Sequence, residues 1–212
     1  IKTACVSPEL KVADCKYNAE KIIEAAKVAS KKGASIIVFP ELSITAYTCG
    51  DLFFQKSLLR AAQEQLITII EKTEKLNSLI FVGLPVNRIE GIYNCAAAIY
   101  GGKLLALYAK SYLPNYGEFY ERRHFTPFQQ NMNTQFIDFA GFEEVPFGTD
   151  ILIQDETNSS LTIACELCED LWVPVPPSSR HVLAGATVIA NLSAGNEIVG
   201  KADYRKSLVK AQ

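Results

Sequence analysis

NAEKIIEAAKVASKKGASIIVFPE, residues 18–41, is the stretch on which the fold turns. In its first part, Ile22, Ala25, Ala26 and Ala29 recur three or four apart and so share one face of a helix over 18–31. Gly33 supplies the stop, because glycine enters the left-handed conformation of a helix C-terminus without a Cβ clash. The second part, 35–39, is a continuous apolar run of strand length, typical of a strand covered on both faces. Pro40 and Glu41 then set a carboxylate straight after that strand. A helix feeding a doubly covered strand that ends in a charge predicts a layered α/β protein with its chemistry beyond strand ends.

The alternation continues on both sides. Residues 3–6 read as a strand. Asp51 is placed to cap a second helix, whose apolar stripe is Leu58, Leu59, Ala62, Leu66, Ile69 and Ile70. Residues 79–83 read as a further buried strand. Glu90-Gly91 and Gly101-Gly102 are turn signals flanking strands over 93–100 and 103–110. Residues 111–150 are aromatic, polar and weakly periodic, and read as long loops. Strands over 150–153 and 161–165 are expected to pair around Asn158-Ser159. A short helix over 179–184, a buried strand over 187–190 and a helix from about Asp203 complete the chain. No repeat, low-complexity tract or linker divides it, so one domain over 1–212 is expected.

Composition narrows the function classes. With 21 basic and 23 acidic residues the net charge is −2, which gives no electrostatic case for nucleic acid or an anionic membrane. No apolar run approaches the ~20 residues that span a bilayer, and no signal-peptide pattern is present. The six cysteines, at positions 5, 15, 49, 95, 165 and 168, lie mostly in apolar segments of a chain long enough to fold without staples. Reduced thiols in the cytoplasm are expected. The first residue is Ile1 rather than Met, so a few residues are expected to precede it.

Glu41, Lys110, Cys168 and Ser193 each follow an apolar strand-like run. Around Cys168 the chain turns from apolar to acidic, which suits a thiol exposed at a strand-to-helix turn; a buried structural cysteine is the alternative. Cys165 and Cys168 form a C-x2-C pair, but no second pair stands at metal spacing and only His124 and His181 could assist, so no metal is expected. Glu41 reads either as a salt-bridged carboxylate or as a base; a carboxyl removed from water holds its proton to higher pH and can accept one from a thiol. Lys110 reads either as a strand-end charge in water or as an ammonium that favours a thiolate and meets a developing oxyanion. Tyr116, Glu118 and Glu121 form either a charged loop surface or a pocket wall with a second carboxylate.

Together these residues carry a resemblance. Phe39-Pro40-Glu41-Leu42, Lys110-Ser111-Tyr112-Leu113-Pro114 and Cys168-Glu169-Asp170 resemble the glutamate, lysine and cysteine motifs of the nitrilase superfamily, in that order. More narrowly, residues 41–53, 113–125 and 191–197 resemble the glutaminase domain of glutamine-dependent NAD synthetases. The resemblance covers nearly the whole chain. It implies a nitrilase-like four-layer α-β-β-α sandwich, with C-terminal strands expected to be missing from this stretch. It implies hydrolysis of L-glutamine to glutamate and ammonia through a Cys168 thioester, with Glu41 and Lys110 as partners and Glu121 as the second carboxylate. Tyr116 would line the glutamine pocket, with Glu118 a lesser candidate beside Glu121. Glu169 and Lys201 would sit near the substrate's polar end. Gly195 stands where some relatives carry Ser, so a hydroxyl contact would be missing.

The half-reaction would need no cofactor. ATP and Mg²⁺ would serve a C-terminal synthetase domain that amidates deamido-NAD; neither that domain nor its Ser-Gly-Gly-x-Asp loop is in this sequence. A homo-oligomer is implied. The rival readings are a stand-alone amidase or carbamoylase using the same triad, and a non-catalytic binding or assembly module.

Overall fold

The structure, a computed structural model, describes residues 1–129 and 132–212. In chain order the elements are β1 (Thr3–Cys5), α1 (Cys15–Lys31), β2 (Ile36–Val38), α2 (Lys56–Thr73), β3 (Leu79–Arg88), β4 (Gly91–Tyr100) and β5 (Lys103–Ala109). They continue with β6 (Gln135–Phe139), β7 (Phe142–Gly148), β8 (Ile153–Gln154), β9 (Thr162–Leu167), α3 (Pro177–Leu183), β10 (Val188–Leu192) and α4 (Lys201–Ala211).

Two sheets form. The larger has the order β1-β2-β3-β4-β5-β7-β6, the smaller β10-β9-β8. β1, β2 and β3 run parallel, as strands joined by helical crossovers do. β3, β4 and β5 are antiparallel neighbours joined by tight turns. Gly101 and Gly102 have φ of 56° and 75°, the left-handed pair that a two-residue hairpin turn requires.

Strand alternation sorts side chains into two cores. Ile80, Val82 and Leu84 face outward from the large sheet and pack with Ile22, Ala26, Leu66 and Ile69 of α1 and α2. Phe81, Ala96, Ala98 and Tyr108 face the other way and meet Ile163, Cys165 and Leu192 of the small sheet. α3 lies against β9 on the far side. The layers are therefore helix, sheet, sheet, helix, which is the expected α-β-β-α sandwich. α4 buries none of its residues.

Several expectations need correction. Residues 111–150 are not loop throughout: β6 and β7 form an antiparallel hairpin, and β7 joins β5 in parallel. Asp51 does not cap the second helix. It lies in a 3₁₀ turn, Gly50–Phe54, while α2 begins at Lys56 after Gln55. Asp51 instead takes a bidentate pair from Arg123 at 2.7 and 2.8 Å. β3 runs on to Arg88, beyond the expected 83. α3 starts at Pro177, a residue suited to a first helical turn, and α4 starts at Lys201. All six cysteines are free.

Candidate active site

The ends of the ladders bring the polar residues together. β9 and β10 are parallel and Leu167 pairs with Leu192, so Cys168 and Ser193 leave the small sheet side by side. Ser193 Oγ donates to Cys168 Sγ at 3.3 Å. In the large sheet Cys95 pairs with Ala109, and the next residues, Asn94 and Lys110, are joined by a backbone hydrogen bond of 2.9 Å.

Glu41 is carried by a turn that crosses the middle of β3. Gly83 makes the crossing possible: a Cβ there would lie 2.2 Å from Leu42 N and 2.7 Å from Pro40 O. Ile44 N donates to Gly83 O at 3.0 Å, and Gly83 N to Ser43 Oγ at 3.2 Å, which pins the turn. Leu42, Ala46 and Cys168 all hold left-handed backbone, with φ of 52°, 65° and 43°. Non-glycine residues adopt it at a cost, and such strain concentrates at functional sites.

The centre is an ammonium shared between two carboxylates. Lys110 Nζ donates to Glu41 Oε1 at 2.6 Å and to Glu121 Oε1 and Oε2 at 2.8 and 2.9 Å. Lys110, Glu41 and Glu121 are all buried. Glu41 Oε1 also accepts from Asn94 Nδ2 at 2.7 Å, and Oε2 accepts from Ala194 N at 3.1 Å. Tyr47 OH donates to Glu121 Oε1 at 2.7 Å. Burial works against the Lys110 charge, but Glu41 and Glu121 outweigh it and raise its pKa, so the ammonium stays protonated. Burial pushes the Glu121 carboxyl up against the pull of Lys110.

Cys168 is not the exposed thiol the sequence suggested; it is 7% exposed. Burial, then the charge of Glu41, push its pKa up to about 12, against the opposing effects of Lys110 and Ser193. The resting sulfur is therefore a thiol, and an attack by it needs a base. Asp170, two residues on, is buried and binds both halves of the site. Its Oδ1 accepts from Ser111 N and Tyr112 N at 3.1 and 2.8 Å, its Oδ2 from Leu167 N at 3.0 Å.

Cys168 opens onto a cavity of about 360 Å³, within the range of small-molecule sites. Tyr116, Glu169, Gly195 and Lys201 all line it, together with Trp172 and Ser193. Tyr116 OH donates to Glu169 Oε2 at 2.9 Å. Lys201 Nζ bonds to Asn196 Oδ1 and lies 5.3 Å from the centre of the Trp172 ring. Glu118 is held by Asn196 and borders a small neighbouring cavity of about 70 Å³. A Cβ on Gly195 would meet Ser193 Oγ at 3.5 Å and Lys201 Nζ at 3.6 Å, ordinary contact distances, so a side-chain Cβ fits there. A larger groove of about 760 Å³ lies between β1 and α1, apart from these groups.

Sequence reasoning assigned no role to Asn94, Tyr47 or Asp170. Asn94 had a visible signal, a lone amide inside the apolar run of β4. Among the described residues no group of three or more His, Cys, Asp or Glu is arranged to hold a metal ion, and no helix is long and apolar enough to cross a membrane.

The carbon-nitrogen hydrolase family profile matches residues 2–212, and the chain belongs to that family. Among its relatives, the glutamine-dependent NAD(+) synthetase of Mycobacterium bovis is 36% identical over 211 residues, which is 100% of this chain and 31% of that protein. The Homo sapiens glutamine-dependent NAD(+) synthetase is 30% identical over 203 residues, 92% of this chain and 28% of that protein. The chain thus spans about a third of the length of these relatives. The crystal structure of a glutamine-dependent NAD(+) synthetase from Cytophaga hutchinsonii superposes with a TM-score of 0.84 at 29% identity, covering 98% of this chain and 33% of that one. An amidase from Nesterenkonia sp. shares the fold at a TM-score of 0.62 and 23% identity, covering 92% of this chain and 66% of its own.

Proposed function

We propose that this chain is the glutaminase part of a glutamine-dependent NAD synthetase, hydrolysing L-glutamine to glutamate and ammonia. One observation carries the reading: a buried Glu41–Lys110–Glu121 cluster is linked through Ser193-Ala194 to Cys168 at the floor of a pocket with charged walls. The relatives' names support glutamine as the amide.

The glutamine side-chain amide lies over Cys168. Glu169 takes the α-ammonium end and Lys201 the α-carboxylate. As the S–C bond forms, the S–H proton passes to Glu41, which a thiol with a pKa of about 12 requires at neutral pH. The Lys110 ammonium and the Glu169 backbone N–H hold the tetrahedral oxyanion; one such donor is worth roughly 3 kcal/mol, or about a hundredfold in rate. The C–N bond breaks, Glu41 protonates the nitrogen, and ammonia leaves a thioester. Water, deprotonated by Glu41, then adds to the thioester carbon. The C–S bond breaks, glutamate departs, and the proton returns to sulfur.

No cofactor enters these steps. ATP and Mg²⁺ belong to the amidation of deamido-NAD by a synthetase domain outside this chain, in a cytoplasmic homo-oligomer. In the full-length protein Cys168→Ala abolishes glutamine-dependent NAD synthesis and leaves synthesis from ammonium salts. Loss of both activities, or survival of both, would falsify the assignment. A diazo-ketone glutamine analogue labels Cys168 and no other cysteine, as peptide mass spectrometry reports. A non-catalytic module would take no label. Ammonia release from a panel of amides separates a glutaminase from a general amidase.

A further inference from the structure

The two oxygens of Glu41 are not equivalent. Oε1 accepts two donors, Lys110 Nζ at 2.6 Å and Asn94 Nδ2 at 2.7 Å. Among the described residues Oε2 accepts only a backbone N–H, that of Ala194 at 3.1 Å. Ala194 follows Ser193, whose hydroxyl lies on Cys168 Sγ, so the donor to Oε2 comes from the residue next to the thiol's own hydrogen-bond partner.

Asn94 is fully buried in β4, between Tyr93 and Cys95. Its Nδ2 donates to Glu41, from β4 to a carboxylate carried on the turn that crosses β3.

Resting on the glutaminase reading, we propose that Asn94 is a positioning residue for the base: with Lys110 it occupies Glu41 Oε1 and thereby reserves Oε2 to take up and return the proton of Cys168. Without Asn94 the carboxylate is free to rotate, and either oxygen can turn toward Lys110. The other titratable groups facing Glu41 are Lys110 and Glu121, Tyr47 from its own connection, and Cys168 from the small sheet. All of them remain when Asn94 is replaced.

The test measures kcat and KM in the full-length protein, with glutamine and with a plain aliphatic amide. Asn94→Leu lowers kcat tenfold or more and leaves KM within about twofold. Asn94→Asp removes the donor and sets a second carboxylate against Glu41, so kcat falls at least as far. Asn94→Gln, which restores a donor, recovers part of kcat. A kcat for Asn94→Leu within about twofold of the wild type, a KM that rises as kcat falls, or an Asn94→Gln variant no faster than Asn94→Leu overturns the proposal. If the wild type cleaves the plain amide and not glutamine, the glutaminase reading falls, and the same shifts on the plain amide still decide the role of Asn94. A wild type that cleaves neither overturns both.

Discussion

Asp170 shows what one buried carboxylate does for the site. It binds the backbone after Lys110 and the backbone before Cys168 at once, so the amine and the thiol share a single anchor. Burial, against the pull of its backbone donors, pushes its pKa up from 3.8 to about 7. Between those values the native state holds a proton that the unfolded chain gives up. The Asp170 contribution to stability is therefore greatest below pH 4 and is lost as pH rises toward 7. Asp170→Asn cannot titrate, so urea unfolding at several pH values shows a flatter slope between pH 4 and 7, by up to about 1.4 kcal/mol per pH unit. Mean stability falls as well, because an amide NH₂ cannot accept all three N–H donors. Residue identity alone marked Glu41, Lys110 and Cys168 as candidates, since each is a polar group abruptly ending an apolar run. Asn94 escaped because its partner is distant in sequence, and Asp170 because two of its three donors, Ser111 and Tyr112, are. Asn94 meets a carboxylate 53 residues away, and no local pattern encodes that.

At the scale of elements, the decisive crossing is that of the Glu41 turn over β3. Gly83 has no rival there, because a methyl group would overlap the backbone of Leu42, Glu41 and Pro40. Backbone cannot step aside as a flexible side chain can. Gly83→Ala is expected to cost about 3 kcal/mol or more in urea unfolding. Its surviving folded fraction loses glutamine hydrolysis, because the turn that carries Glu41 has moved. Strands covered on both faces, such as β2 and β3, announced themselves as continuous apolar runs. Helices α1 and α2 showed their stripes. The β6–β7 hairpin did not: Ile137, Val145 and Phe147 are buried, but Phe136 is an apolar residue on the exposed face and the adjacent Glu143 and Glu144 are both exposed, so the sequence of the strands does not alternate cleanly. Their place in the sheet depends on β7 pairing with β5, some forty residues earlier, which no nearby residue foretells.

For the whole molecule, the order of layers was legible because helices and doubly covered strands alternate, and the two-sheet arrangement came with the family resemblance. Which strands joined which sheet was not: β8, β9 and β10 read much like the strands before them. The division matters, because the reacting groups are split across it. Cys168 stands at the end of β9 in the small sheet, while Glu41 and Lys110 stand on the large one. Between them lies an apolar seam that includes Phe81, Tyr108, Ile163 and Leu192. A displacement of about 1 Å between reacting groups can cost a hundredfold in rate. Phe81→Leu, a modest core change worth roughly 1–2 kcal/mol, is expected to lower kcat more than tenfold while Tm falls by only a few degrees. Calorimetry alongside steady-state kinetics would show the two responses apart. The sheets behave as two jaws, each gripping half of the chemistry, and the greasy filling between them sets their gap. Residues that never touch a substrate thus govern turnover by their thickness alone.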